Sequence, residues 1–210
     1  MGINTQFSTD HSRIYEDFVR DLRYDEGYPS IRYPEDYRGQ EEIKLCCSQH
    51  EGIVTEKERR ELTQAWVAFL CENTLPLKEV QVCTKLNQSV FDALCTQSSI
   101  ESLRIKWFTG NDVSEIVKLN HLKKLFIESG SSIEDISPIC RLSELEVLIL
   151  GNTVKVNDYS PISALGSLKV LGICAYQTHY DKKIKVKSTE FIDSMSSLEY
   201  VDIQDVVTES

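Results

Sequence analysis

The chain has 210 residues, of which 41% are hydrophobic and 27% charged, and carries a formal net charge of −10. A net anion is repelled by nucleic acid and by anionic membrane, so both are set aside as partners and a basic protein ligand is favoured. No apolar run reaches the length of a signal core or a membrane span, and Gln6 breaks the myristoylation pattern that Gly2 would open, so a soluble cytoplasmic protein is expected.

In chain order, Ile14, Phe18 and Leu22 fall on one face of a helix read over residues 11–24, with Asp10 or Ser12 as N-cap. The stretch after it is dense in Tyr, Pro and charge and reads as an irregular segment wrapped over the first repeat. Tyr24, Tyr28, Tyr33 and Tyr37 there serve either cap packing or an aromatic contact surface. Residues 42–46 alternate as a strand, and Thr55 with Glu58 forms a capping box that opens a helix over 56–72 with Leu62, Trp66 and Phe69 or Leu70 on its apolar stripe. Residues 1–72 are therefore read as an N-terminal cap, which a repeat array needs because its first unit would otherwise expose a core edge.

Residues 73–210 are read as the array. In residues 133–150, Ile133, Ile136, Ile139, Leu142, Leu145 and Leu148 step by three and Leu150 follows by two, so the backbone changes period within one unit. Val156, Tyr159, Ile162, Leu165, Leu168, Leu171 and Ile173 repeat the pattern twenty-three residues later. Aligning the L-x-x-L-x-L cores gives six strands, centred on Val80, Leu103, Leu125, Leu148, Leu171 and Val201. Between the last two, residues 175–188 form an insertion, and Ile203 lies near a strand edge through which copies of the chain could associate.

The run I-x-D-I-S-P-I-x-x-L-x-x-L-x-x-L-x-L, with Asp135-Ile136-Ser137-Pro138 echoed by Asp158-Tyr159-Ser160-Pro161, resembles the bacterial 22-residue leucine-rich repeats of the internalin type. Thr153 and Tyr176 stand where that family usually carries Asn. The resemblance implies an α/β leucine-rich-repeat solenoid with a concave parallel sheet, short convex helical turns and a protein-binding role.

Alternation along the strands places Gln81, Arg104, Phe126, Ile149, Gly172 and Asp202 in one row of the concave face, and Glu79, Ser102, Lys124, Val147, Val170 and Tyr200 in the next. Phe126, Val147, Ile149 and Val170 are expected to form a solvent-facing apolar patch. Arg104, Lys106, Trp107 and Lys124 flank it on one side, and Tyr200, Asp202 and Asp205 on the other, which is the usual make-up of a protein-binding site. Lys182, Lys183, Lys185 and Lys187 make a second candidate, a basic loop or short hairpin arm able to clamp an acidic partner.

Seven cysteines without a C-x-x-C motif read as reduced thiols, and the sequon at Asn87 as chance. Cys46, Cys47, His50 and Glu51 are the one local cluster of nucleophile, base and carboxylate types, and neither a nucleophile elbow nor metal-ligand spacing surrounds them. No cofactor or metal is expected, and the chain is read as a non-enzyme. The leading reading is a non-catalytic module that binds a protein ligand on the concave face. The alternative is an acidic cytosolic immunity or inhibitor protein that neutralises a basic toxin or enzyme. An enzyme built on Cys46 or Cys47 ranks third.

Overall fold

The computed structural model describes residues 27–48, 55–174, 183–204 and 206–208. The expected helix at 11–24 lies outside these residues, as do Tyr24, His50, Glu51, Tyr176, Lys182 and Asp205.

The described chain is organised on one parallel sheet of eight strands: β1 (Ser30–Ile31), β2 (Glu42–Leu45), β3 (Glu79–Leu86), β4 (Ser102–Phe108), β5 (Lys124–Ile127), β6 (Val147–Gly151), β7 (Val170–Cys174) and β9 (Tyr200–Gln204). Each pairs in register with the next, as in Leu103↔Leu125, Leu125↔Leu148, Leu148↔Leu171 and Leu171↔Val201. The six L-x-x-L-x-L cores thus become six consecutive strands of one sheet. The sheet also takes in β1 and β2, so the segment before the regular repeats contributes strands as well as a helix. β9 ends the order, and among the described residues no strand pairs with its outer edge.

Local chemistry explains the convex layer. The helix α1 (Glu56–Glu72) starts at a complete capping box, Thr55 accepting from the Glu58 backbone N–H and Glu58 from that of Thr55. It buries Leu62, Trp66 and Leu70, and the Trp66 indole N–H donates to Arg32 O at 3.0 Å. A second helix, α2 (Gln88–Leu94), has Asn87 as N-cap, its side-chain oxygen accepting from Val90 N at 3.0 Å, so the sequon asparagine serves as a cap. Later units narrow to 3-10 turns. The Asp-x-Ser-Pro motif explains two of them: Asp135 accepts from the Ser137 N–H at 2.8 Å and Asp158 from that of Ser160 at 3.0 Å, turning the chain into the helical segment. Hydrogen bonds from the Ser137 and Ser160 side chains, together with these backbone ones, hold both carboxyls below the ordinary aspartate range.

One continuous apolar core lies between the sheet and this layer, from Ile31 to Met195. Gln97 joins α1 to it. Almost wholly buried, its amide accepts from Leu75 N at 2.8 Å and donates to Leu70 O at 2.7 Å and Asn73 O at 3.1 Å, so three backbone groups at the end of α1 are satisfied by one side chain. Thr153, at the usual asparagine position, is fully buried; its hydroxyl lies 2.7 Å from the Tyr159 hydroxyl, which also donates to Thr153 O at 3.1 Å. Asn152 beside it adopts a positive φ of 53°, a conformation Asn tolerates better than most side chains.

The insertion departs from the expected hairpin arm. Residues Ile184–Val186 form β8, which pairs in parallel with β10 (Val206–Thr208) as a separate two-stranded sheet. Ile184 and Val186 are buried in the main core, so alternation here anchors the strand and turns Lys183 and Lys185 to solvent.

Candidate binding face

Alternation along a strand sends one side chain to the core and the next to the opposite face. In β4 to β9 the core takes Leu103, Ile105, Leu125, Ile127, Leu148, Leu150, Leu171 and Ile173, leaving the opposite face to the two rows read from the sequence. The register confirms both rows: Gln81↔Arg104↔Phe126↔Ile149↔Gly172↔Asp202, and Glu79↔Ser102↔Lys124↔Val147↔Val170↔Tyr200. β2 adds Lys44 to the first row and Glu42 to the second.

Exposure corrects the expectation. Phe126, Val147, Ile149 and Val170 do not form a solvent-facing patch: they are 1%, 4%, 0% and 0% exposed, and with Cys174 they make a second apolar cluster separate from the main core. Tyr200 packs half-buried against it. The physical reason has two parts. Strands about 4.8 Å apart bring equivalent side chains into lateral contact, so Val147 is flanked by Lys124 and Val170. The second is composition: Phe126 pairs with Ile149 and Val147 with Val170, so apolar neighbours meet and pack as one cluster.

The basic flank is buried too. Arg104 is 7% exposed with its guanidinium carbon 4.8 Å from the centre of the Phe126 ring, a cation–π arrangement, while Lys44 and Lys106 are 8% and 5% exposed. Cations held this far from water are tolerated where carboxylates, carbonyls or ring faces meet them. Trp107 lies beyond the register shift between β3 and β4, stays exposed, and has the Lys106 ammonium 5.1 Å from its ring centre. Lys124 and Asp202 are half-buried, and Gln204 donates to Asp202 at 2.9 Å. Tyr28, near the start of the described chain, donates from its hydroxyl to Glu79 in the second row, so the chain reaches the sheet from this side.

The other candidates separate from this face. Lys187 pairs with Asp158 at 3.2 Å and its backbone N–H donates to Asn157 O at 2.9 Å, tying the Lys-rich strand to the turn after β6 rather than to the strand face. Lys183 and Lys185 are exposed there. Burial raises the thiol pKa of Cys46, and that of Cys47 to about 11, despite a contact of 3.7 Å between the Cys47 sulfur and the Thr84 hydroxyl. At neutral pH the thiolate that nucleophilic chemistry needs is disfavoured at both. Among the described residues no group of His, Cys, Asp or Glu is placed to hold a metal ion, and no helix is long and apolar enough to cross a membrane.

Of the face residues, Lys44 and Cys174 escaped sequence reading. Lys44 was assigned to the cap, and Cys174 follows the last core residue of its unit; the signal that finds both is the register that carries the rows into β2 and one position beyond Ile173.

Comparison with known proteins agrees with this architecture. Residues 57–153 match the family model described as R13L1/DRL21 LRRs. The fold is similar to that of internalin C2 from Listeria monocytogenes, at 19% identity and a TM-score of 0.60 over 89% of this chain and 71% of that one. It is also similar to an internalin, InlF, from the same organism, at 15% identity and a TM-score of 0.56 over 87% of this chain; the chain spans 43% of that structure's length. No curated protein sequence matches the chain.

Proposed function

We propose that this chain, a leucine-rich-repeat solenoid similar in fold to internalins, serves as a non-catalytic protein-binding module whose ligand seats on the concave strand face over β4 to β9. One observation carries the proposal: the chain builds a second apolar cluster on the face that its core does not use. A solenoid folds by burying one face of its sheet against the convex layer. Phe126, Val147, Ile149 and Val170 are not members of that core and pack with one another instead.

Charge refines the reading. The net charge of −10 favours a basic partner for the surface as a whole, but Lys44, Arg104, Lys106 and Lys124 gather at one end of this face. The ligand segment that fits it presents an apolar stripe with carboxylates at one end, and a preformed sheet loses little entropy in receiving it. Seven cysteines that form no disulfide extend the proposal to a reducing compartment such as the cytoplasm.

The test compares capture of protein ligands by the unaltered chain and by a Lys124→Glu, Tyr200→Ala double variant, both half-buried positions at the rim of the cluster. A ligand lost from the variant, with its urea midpoint unchanged, is the expected result. A ligand held equally by both chains overturns the reading.

A further inference from the structure

We propose that the outer edge of β9 receives a strand from a basic protein partner, which pairs parallel to β9 and sets a lysine or arginine beside Glu199. This surface is distinct from the concave face, and the inference stands without the binding function proposed above.

It starts from burial. In the β7 unit Leu168, Leu171 and Ile173 are buried, as are Leu145, Leu148 and Leu150 in the β6 unit. Their counterparts Leu198, Val201 and Ile203 are all half-exposed, and so are Phe191 and Ile192 in the turn before them and Val206 in β10. The apolar core therefore reaches the surface at this end, beside a strand edge. Tyr200 N–H donates inward to Lys169 O at 3.0 Å, so alternation turns the N–H and C=O groups of Val201 and Ile203 outward. Main-chain donors and acceptors next to apolar side chains are what strand addition uses.

Charge selects the strand that fits. The residues directly before strands β2 to β7 and β9 are Glu41, Lys78, Glu101, Lys123, Glu146, Lys169 and Glu199, each backbone N–H donating to the carbonyl of the one before it. Charge alternates at every step, and the ion pairs Lys123–Glu101 at 2.7 Å and Lys169–Glu146 at 3.0 Å run along the row. With strands about 4.8 Å apart, opposite charges at neighbouring places attract and like charges repel. The place after Glu199 therefore takes a cation, with apolar side chains two and four residues further on to meet Val201 and Ile203. The same rule argues against a second copy. A two-fold axis would pair β9 antiparallel with itself and line the Glu199 and Asp202 carboxylates of both chains along one seam, between molecules of net charge −10. Head-to-tail addition of β1 would bring uncharged Gly27 to that place, since Ser30 aligns with Lys44.

The probe is a synthetic peptide of residues 152–173, which carries Lys169 at the charged place and Leu171 and Ile173 two and four residues on. Labelled with fluorescein, it is titrated with the full-length chain at low salt and followed by anisotropy. The unaltered peptide is expected to bind saturably and a Lys169→Glu peptide about tenfold more weakly. Against a Glu199→Lys chain the order is expected to reverse, which pins the contact to this edge. No saturable binding, equal binding of both peptides, or an order that Glu199→Lys leaves unchanged overturns the proposal. Should Glu199→Lys fail to fold, salt decides on the unaltered chain: the difference between the peptides is expected to shrink as salt rises, and a difference that salt leaves unchanged overturns the proposal. An Asp202→Cys chain that crosslinks to its own copy through position 202 on oxidation places a second copy on the edge and likewise overturns it. The concave-face reading is scored by ligand capture and is untouched by these results.

Discussion

Replacing Gln97 by leucine keeps the side chain's approximate size and removes its hydrogen bonds to three backbone groups where α1 meets the repeats, along with one to the Thr96 hydroxyl. The Leu75 N–H, on a buried residue, then has no acceptor, which costs about 1–3 kcal/mol. Leu70 O keeps a longer bond from the Thr96 hydroxyl at 3.3 Å, so its loss adds about 1 kcal/mol, and Asn73 is exposed enough for water to replace its partner. The sum is about 2–4 kcal/mol. Urea unfolding followed by far-UV circular dichroism reads it as a lower midpoint. Because neighbouring units of a solenoid couple only through their interfaces, α1 can also detach before the repeats do. Trp66 reports that step, being fully buried on α1, and its fluorescence is expected to change at lower urea than the dichroism. A Gln97→Leu chain within about 0.5 kcal/mol of the unaltered one, with both signals coincident, would refute the assignment of this amide as the link between helix and repeats.

Two further outcomes follow from the same structure. Burial pushes the Tyr159 hydroxyl up to about 12 from 10.0, and the Cys140 and Cys47 thiols up to about 12 and about 11 from 9.0. The unfolded chain therefore loses these protons first, so stability is full below about pH 9 and falls as pH rises toward 12; in Tyr159→Phe the decline above pH 10 is shallower, at a cost of about 1–2 kcal/mol at neutral pH, as measured by urea midpoints across that range. Gly151 sits where an added Cβ would lie 2.1 Å from Glu128 O, a backbone atom that cannot swing aside, so Gly151→Ala is expected to lose about 1–3 kcal/mol in thermal or urea unfolding, and an unchanged midpoint would show that β5 and β6 can separate locally.

The sequence by itself determined the repeat. Steps of three followed by two name both the convex turn and the strand, and a constant offset stacks Leu103, Leu125, Leu148 and Leu171 side by side, so the two face rows could be written down residue by residue. Their identity was legible because a strand has a period of two, and its register follows once the offset is known. The helix after Thr55 was equally local, fixed by a capping box and a stripe. Tertiary structure decided the rest. The α2 helix is seven residues long with no periodicity to mark it, and its cap was indistinguishable from a chance sequon. The parallel pairing of β8 with β10 joins segments some twenty residues apart. Exposure of the face was the largest difference: Ile149 points away from the core as alternation requires, yet is fully buried. Alternation sets the direction of a side chain, whereas burial depends on what else in space comes to rest on it, and that is a property of the folded chain rather than of any window of sequence.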